Sequence, residues 1–145
     1  DQIGTGAEMA DNVITVGALD PEYGSEMLAS FSNYGKSNVD IFAPGGKVYS
    51  TMPNNEYDFN GGTSMASPGV AGIAALLRSQ FPKLSAAQVK KIILKSGLPI
   101  KATMILGGNP DKSGKLEEVS TSGRIANAYN ALIVAAGVSK GKINL

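Results

Sequence analysis

The chain has 145 residues, enough for one domain, and its 13 Lys and Arg residues nearly balance its 12 Asp and Glu residues, for a net charge of +1. This near-neutral balance gives no electrostatic basis for binding nucleic acid or an anionic membrane surface, and no apolar run approaches the roughly 20 residues of a membrane-spanning helix. The sequence contains no cysteine and no histidine, which excludes disulfides and the zinc and haem sites that these residues build.

Short apolar runs predict strands in the first part of the chain. Residues 13–19, 39–43 and 48–52 are rich in β-branched or aromatic side chains, and a proline follows each run closely. Runs of this kind, bounded by turn residues, are typical of buried strands in an α/β protein.

A long helix is predicted over residues 64–81. Apolar residues fall on most of its faces, so we expect the helix to be buried on most sides. Pro68 is compatible with this helix because it lies in the first turn, where the missing N–H has no intrahelical acceptor.

Two further helices are predicted downstream. Ser85 followed by Gln88 is the pattern of a capping box, and we expect the helix that it opens to end at Ser96. Residues 125–136 predict a third helix, with Gly137 as its stop.

Residues 107–123 are polar and rich in turn residues, which predicts a hairpin or a surface excursion. From Asn109 to Gly114, oxygen-bearing side chains at alternate positions resemble the opening of a calcium-binding loop. The twelfth position, however, is Ser120 and not the bidentate glutamate that an EF-hand loop needs. A polar hairpin loop is therefore favoured over an ion site.

The most informative segment is residues 62–68, with the sequence Gly-Thr-Ser-Met-Ala-Ser-Pro. Ser64 follows a glycine turn at the start of a helix, whose free N–H groups and partial positive charge suit a developing oxyanion. This pattern predicts a nucleophile; the alternative is a helix N-cap. Ser67 is better explained as a structural hydroxyl, and Asp40 as a residue that forms hydrogen bonds at a turn or strand end. The histidine that usually serves as general base for such a serine is absent.

Five blocks, in the same order as in the family, resemble the C-terminal part of a subtilisin-like serine endopeptidase of the subtilase family. They are residues 12–18 (NVITVGA), 29–35 (ASFSNYG), 39–45 (VDIFAPG), 62–68 (GTSMASP) and 123–132 (GRIANAYNAL). Ala126 in the last block is an apparent extra residue. The order of the blocks makes the resemblance stronger than any single motif.

The resemblance implies an α/β fold, namely the C-terminal half of a three-layer α/β/α sandwich around a mostly parallel sheet. Residues 1–145 would form the nucleophile-bearing part of a catalytic domain, and the catalytic Asp, the catalytic His and the Asn of the oxyanion hole would precede them. We therefore expect no useful peptidase activity from this chain alone.

The resemblance also assigns roles to single residues. Ser64 would be the nucleophile and its backbone N–H one oxyanion donor, with the hydroxyl of Thr63 assisting at the same site. Met65 would pack beside the nucleophile. Gly69 stands where the family usually has a histidine, which is not the catalytic base.

The expected partners are a polypeptide substrate and the missing N-terminal half of the domain. A second copy of the chain is a further candidate, because half a sheet leaves an open edge. No cofactor is expected for the chemistry, and a structural calcium in the parent protein is not assignable to residues here. The resemblance implies an extracellular or periplasmic parent. A catalytically dead subtilase-like module with a binding or structural role is the alternative, and an unrelated α/β binding domain is a third.

Overall fold

A computed structural model of the chain describes residues 11–145, so the first ten residues of the expected domain lie outside the described part. The elements in chain order are β1 (Val16–Leu19), β2 (Ile41–Pro44), β3 (Val48–Met52), a 3-10 turn (Pro53–Asn55), β4 (Glu56–Asn60), α1 (Thr63–Gln80), α2 (Ala86–Ser96), β5 (Leu98–Pro99), β6 (Thr103–Leu106), β7 (Asn109–Lys115), α3 (Leu116–Val119), β8 (Arg124–Ile125) and α4 (Ala128–Ser139).

The main sheet has the strand order β1-β2-β8-β5. Strand β2 pairs in parallel with β1 and with β8, while β5 runs antiparallel to β8. The chain passes through α1 and α2 between β2 and β8, because two parallel strands need a long crossover connection. The expected α/β fold with a mostly parallel sheet is therefore confirmed.

The two faces of this sheet carry separate apolar cores. Ile41 of β2 belongs to the core that β2 forms with α1, α2 and α4, which also contains Leu77. The adjacent residue Phe42 points to the opposite face, where it shares a core with Met104 of the β6–β7 hairpin. This alternation follows from the two-residue period of a strand.

Helix α1 forms as predicted but is buried on one side only. Ala66, Val70 and Leu77 are its buried residues, on the side that packs against β1, β2, α2 and α4. Among the described residues, nothing covers the opposite side, so the expected burial on most sides is wrong. We call this exposed side the α1 outer face; it consists of Ala71, Gly72, Ala75 and Leu76.

Helix α2 confirms the predicted capping box. The Gln88 N–H donates to the Ser85 hydroxyl at 3.2 Å, and the Ser85 N–H donates to the Gln88 side-chain oxygen at 2.9 Å. The helix ends at Ser96, as expected.

The third helix was predicted with the wrong bounds. Residues 124–125 form strand β8 because they pair with β2, with Ile125 in register with Phe42. Asn127 is the N-cap of α4, and its side chain accepts a hydrogen bond from the Asn130 N–H at 2.8 Å. Gly137 lies inside the helix rather than after it, and the glycine in the left-handed conformation beyond the helix end is Gly141. The missing side chain of Gly137 leaves the space that Ile143 occupies.

Two hairpins complete the described part. Strands β6 and β7 confirm the predicted polar hairpin, with Gly107 and Gly108 in the left-handed conformation at its turn. The segment that resembled a calcium loop, Asn109 to Gly114, therefore lies within strand β7. Strands β3 and β4 form the second hairpin; β4 was not predicted, although Tyr57 and Phe59 alternate with polar residues as a strand requires. Within residues 11–145, no helix combines the length and the apolar character needed to cross a membrane.

Candidate active site

The turn that precedes Ser64 is held by the end of strand β2. The Gly62 N–H donates to the Gly45 carbonyl oxygen at 2.8 Å. A Cβ atom on Gly45 would lie 2.6 Å from the Ala18 Cβ and 2.8 Å from the Gly62 carbonyl oxygen. Only glycine fits at position 45, and this close approach fixes the start of α1 relative to the sheet.

Ser64 is the second residue of α1, which begins at Thr63. The N-cap is Gly62, so the alternative interpretation of Ser64 as the N-cap is wrong. Gly62 has no side chain that could accept hydrogen bonds from the first-turn N–H groups. The positive end of the helix dipole therefore remains available to an anion beside the Ser64 hydroxyl.

Ser64 is exposed and opens into a groove of about 490 Å³. One wall is the first turn of α1, and the other is the start of β1 with the residues before it. The lining residues are Ile14, Thr15, Val16, Asn33, Thr63, Ser64, Ser67 and Pro68.

Two residues line the groove that were not expected there from the sequence. Ser67 was expected to have a structural role, yet it is exposed and lines the same groove as Ser64. Asn33 was not singled out, although it lies inside the 29–35 block. Its position is set by the buried Ser32, whose hydroxyl accepts from the Ala18 N–H at 2.8 Å and donates to the Asn33 carbonyl oxygen at 2.9 Å. Asn33 lines the groove, and an asparagine side chain carries both hydrogen-bond donors and an acceptor.

Thr63 and Met65 flank Ser64 as their sequence positions require. Thr63 is half-buried and lines the groove. Met65 is half-buried, and its sulfur lies 3.5 Å from the position that a Cβ on Gly62 would take. The thioether therefore packs against the turn that carries Ser64.

No residue of the groove lining given above has an ionisable acid or base that could take a proton from Ser64 at neutral pH. Asp40 is engaged elsewhere: its carboxylate accepts from the Thr15 N–H at 2.9 Å and from the Lys90 ammonium at 3.0 Å. The expected strand-end role of Asp40 is thus confirmed. Across residues 11–145, no group of three or more acidic side chains is arranged to hold a metal ion.

The sequence and the fold both match known proteins. Residues 2–127 match the sequence profile of the subtilase family. Subtilisin DY of Bacillus licheniformis is 52% identical over 80 residues, which cover 55% of this chain and 28% of that protein. The cell wall-associated protease of Bacillus subtilis strain 168 is 39% identical over 99 residues, which cover 68% of this chain and 11% of that protein.

Among solved structures, the prenylagaramide maturation protease PagA superposes with a TM-score of 0.67 and 29% sequence identity, over 92% of this chain and 45% of that one. The chain therefore spans less than a third of both curated relatives and less than half of PagA. These matches agree with the subtilisin-like α/β fold expected from the sequence.

Proposed function

The chain belongs to the subtilase family, and from this premise we propose that it is the nucleophile-bearing part of a serine endopeptidase, with Ser64 as the nucleophile. The observation that carries the proposal is the position of Ser64: exposed, on the first turn of α1, behind a glycine N-cap and open to a groove. Neither a buried serine nor an N-capping serine would be available for attack.

The chemistry begins with attack of the Ser64 hydroxyl oxygen on the carbonyl carbon of a substrate peptide bond. The hydroxyl proton passes to a general base, and the carbonyl oxygen becomes an oxyanion. The Ser64 backbone N–H donates to this oxyanion, the Thr63 hydroxyl assists, and the helix dipole favours the negative charge. The proton then moves to the leaving amine, the peptide bond breaks, and water hydrolyses the resulting acyl-enzyme.

The general base is supplied by the upstream part of the parent protein, together with an Asn oxyanion donor. The groove lining lacks an ionisable side chain, and the whole chain lacks histidine. The isolated chain is therefore expected to be inactive as a peptidase.

The upstream part docks on the α1 outer face in this proposal. That face is exposed yet apolar, since it consists of alanine, glycine and leucine, and contiguous exposed apolar surface commonly marks an interaction site. The outer edge of β1 is less available for pairing with another strand than the open edge of half a sheet would be. The Ala18 N–H already donates to Ser32, and the Ala29 N–H donates to the Ala18 carbonyl oxygen at 3.2 Å. Self-association through this edge is accordingly the weaker alternative.

The chemistry proposed for Ser64 requires no cofactor. A structural calcium in the parent remains an expectation of the family, and the segment that resembled a calcium loop does not fit one. It lies in β7, where Asn109, Ser113 and Gly114 pair with β6, and the Asn109 side-chain oxygen accepts from the Asp111 N–H at 3.0 Å. An extracellular or periplasmic parent belongs to the same proposal; the support for it is similarity to proteins such as the cell wall-associated protease.

A fluorophosphonate labelling experiment tests this proposal. The chain is treated alone and after refolding with the separately produced upstream part, and the adduct is located by intact mass and peptide mapping. We expect an adduct on Ser64 in the mixture only, and none with Ser64→Ala. The matched control is Ser67→Ala, in the same groove, which should still be labelled.

A catalytically dead subtilase-like module is the alternative that this experiment separates. A folded complex of the two parts that gives no adduct would favour that module. Turnover of a peptide substrate by the chain alone would contradict the dependence on an upstream base.

A further inference from the structure

The β3–β4 hairpin presents an aromatic surface to solvent. Its strands pair with Tyr49 opposite Phe59 and Thr51 opposite Tyr57, so these four side chains share one face of the ribbon. The aromatic residues are 60% (Tyr49), 61% (Tyr57) and 63% (Phe59) exposed. We call these three side chains the aromatic face.

The aromatic face is ordered by its own contacts. The ring of Tyr49 lies 4.9 Å from that of Phe59 and 5.9 Å from that of Tyr57, measured between ring centroids. Contacts of this kind hold aromatic side chains in place, so little conformational entropy is left to lose when a ligand binds. Contiguous exposed apolar surface on a soluble protein commonly marks an interaction site.

The opposite face of the same hairpin has a different character. Glu56 and Asp58 alternate with the aromatic residues along β4, and both are exposed. The face opposite the rings therefore carries two carboxylates and polar residues together with Val48 and Met52, whereas the aromatic face carries no charge. A ligand for the aromatic face is expected to present aliphatic or aromatic side chains rather than charges.

The position of the hairpin indicates which ligand this is. Strand β4 ends at Asn60 and continues through Gly61 and Gly62 into α1. Phe59 is five positions before Ser64 in the chain, which bounds the distance between their Cα atoms at about 18 Å, and Tyr57 is seven positions before Ser64, which gives about 25 Å. An extended polypeptide advances about 3.3 Å per residue. A substrate that extends about eight residues from the scissile bond is therefore long enough to span the distance between Ser64 and the aromatic face.

Apolar surface also borders the intervening turn. Two ring carbons of Phe31 lie 3.8 Å from the position of a Cβ on Gly61, and the Phe31 side chain is half exposed. The aromatic face is thus continuous in sequence with the turn that carries Ser64, and that turn has an exposed aromatic ring against it.

We propose that the aromatic face is a secondary substrate-binding surface, which takes an aliphatic or aromatic side chain of the polypeptide substrate within about eight residues of the scissile bond. This inference rests on the proposed function, because it needs Ser64 to be the point of attack. It adds a preference for long, apolar substrates that the groove at Ser64 does not itself specify.

The test uses the full-length parent enzyme with the double substitution Tyr49→Thr and Phe59→Thr, since threonine retains β propensity while removing the rings. A second variant, Tyr57→Thr, alters the same face at one position. The control is Tyr23→Thr, because Tyr23 is an exposed tyrosine in a turn outside the hairpin. Substrates are internally quenched peptides with one common cleavage sequence, extended on either side by eight residues that contain a single Leu or a Ser in its place, and a short peptide without extensions.

We expect kcat/KM for Leu-extended peptides to fall about fivefold in the double variant, to fall less in Tyr57→Thr and to stay unchanged in Tyr23→Thr. The short and Ser-extended peptides should be cleaved equally by all four proteins. The side of the scissile bond on which Leu matters will identify the direction in which the substrate runs.

Two results would overturn the inference. If kcat/KM of the double variant fell equally for every substrate, the rings would only support the fold or contact the upstream part. If kcat/KM fell for no substrate, the rings would bind no substrate. Fluorophosphonate labelling of Ser64 is measured in the same samples. If the parent is not labelled at Ser64, the proposed function itself fails, and this inference fails with it. If Ser64 is labelled in all four proteins and they cleave Leu-extended peptides with equal kcat/KM, only the inference fails.

Discussion

Gly45 and Gly62 are joined by a 2.8 Å hydrogen bond between the carbonyl oxygen at the end of β2 and the N–H that precedes α1. The two residues are 17 positions apart, with the whole β3–β4 hairpin between them. This bond connects the main sheet to the turn that carries Ser64. The position of the candidate nucleophile thus depends on how closely two backbone segments can approach.

Gly45→Ala should therefore damage both stability and the site. The added Cβ would meet the Ala18 Cβ and the Gly62 carbonyl oxygen at distances below 3.0 Å, and such overpacking costs about 1–3 kcal/mol. We expect a lower midpoint of urea unfolding and slower fluorophosphonate labelling of Ser64 in the complex with the upstream part. The control for the unfolding measurement is Gly69→Ala in α1, where a Cβ meets no atom within 4 Å and helix propensity improves by about 1 kcal/mol. If Gly45→Ala behaved like Gly69→Ala, the close approach would not be a constraint.

Lys90→Met should destabilise the fold far more than Lys47→Met. The Lys90–Asp40 pair is mostly buried, with side-chain exposures of 17% and 14%, and the Lys90 ammonium also donates to the Val13 carbonyl oxygen. Its removal leaves a carboxylate partly buried with the Thr15 N–H as its remaining donor, which we expect to cost about 2–3 kcal/mol.

Lys47 is the matched control because it forms an exposed ion pair with Glu22 at 2.7 Å. Pairs of this kind contribute little to stability. Urea unfolding of both variants checks the comparison. Equal shifts in the urea midpoints of the two variants would show that burial does not increase the contribution of the Lys90–Asp40 pair to stability.

The Glu22–Lys47 pair should instead be visible in titration. The hydrogen bond from the Lys47 ammonium to the Glu22 carboxylate holds the pKa of Glu22 below its ordinary value of 4.5, and the same bond raises the pKa of Lys47 above 10.5. A lowered carboxyl pKa contributes stability that is present above the unfolded pKa and is lost as pH falls through the folded pKa. A raised lysine pKa contributes stability that is present below 10.5 and is lost as pH rises through the folded pKa.

An NMR titration of the Glu22 carboxyl carbon measures this effect. In Lys47→Met, the pKa of Glu22 should rise back toward 4.5, and high salt should shift the pKa of the unsubstituted protein in the same direction because both side chains are exposed. An identical Glu22 pKa in both proteins at low salt would mean that the pair does not persist in solution.

Ala75→Glu on the α1 outer face should prevent the upstream part from docking while the chain itself stays folded. Ala75 is exposed in this chain, so a glutamate there meets only water until another element covers it and buries an unpaired charge. We expect at least a tenfold weaker association, measured by titrating the upstream part into the chain. Ala86→Glu, at the exposed first residue of α2, is the matched control and should associate normally. Equal affinities for the two variants would show that docking occurs elsewhere.

The features that the sequence predicted correctly are those that depend on near neighbours. The Ser85–Gln88 capping box needs only residues within one helical turn. The glycines before Ser64 likewise mark a turn by their adjacent positions, although the placement of that turn on the sheet depends on the distant Gly45. The family could also be identified from ordered local blocks. For these features, the residues that interact are the residues that are adjacent in the sequence.

The features that the sequence did not reveal depend on distant partners. Residues 124–125 join the sheet because Phe42 lies beside them. Gly137 leaves the space that Ile143 occupies, six residues further on. Asn33 lines the groove through the contact of Ser32 with Ala18. The exposed side of α1 is the clearest case, because an apolar helix surface does not tell which chain will cover it. The sequence by itself thus determined the local conformation and the candidate nucleophile. Only the tertiary structure decided which surfaces meet and which remain open, because burial depends on contacts between segments that are far apart in the chain.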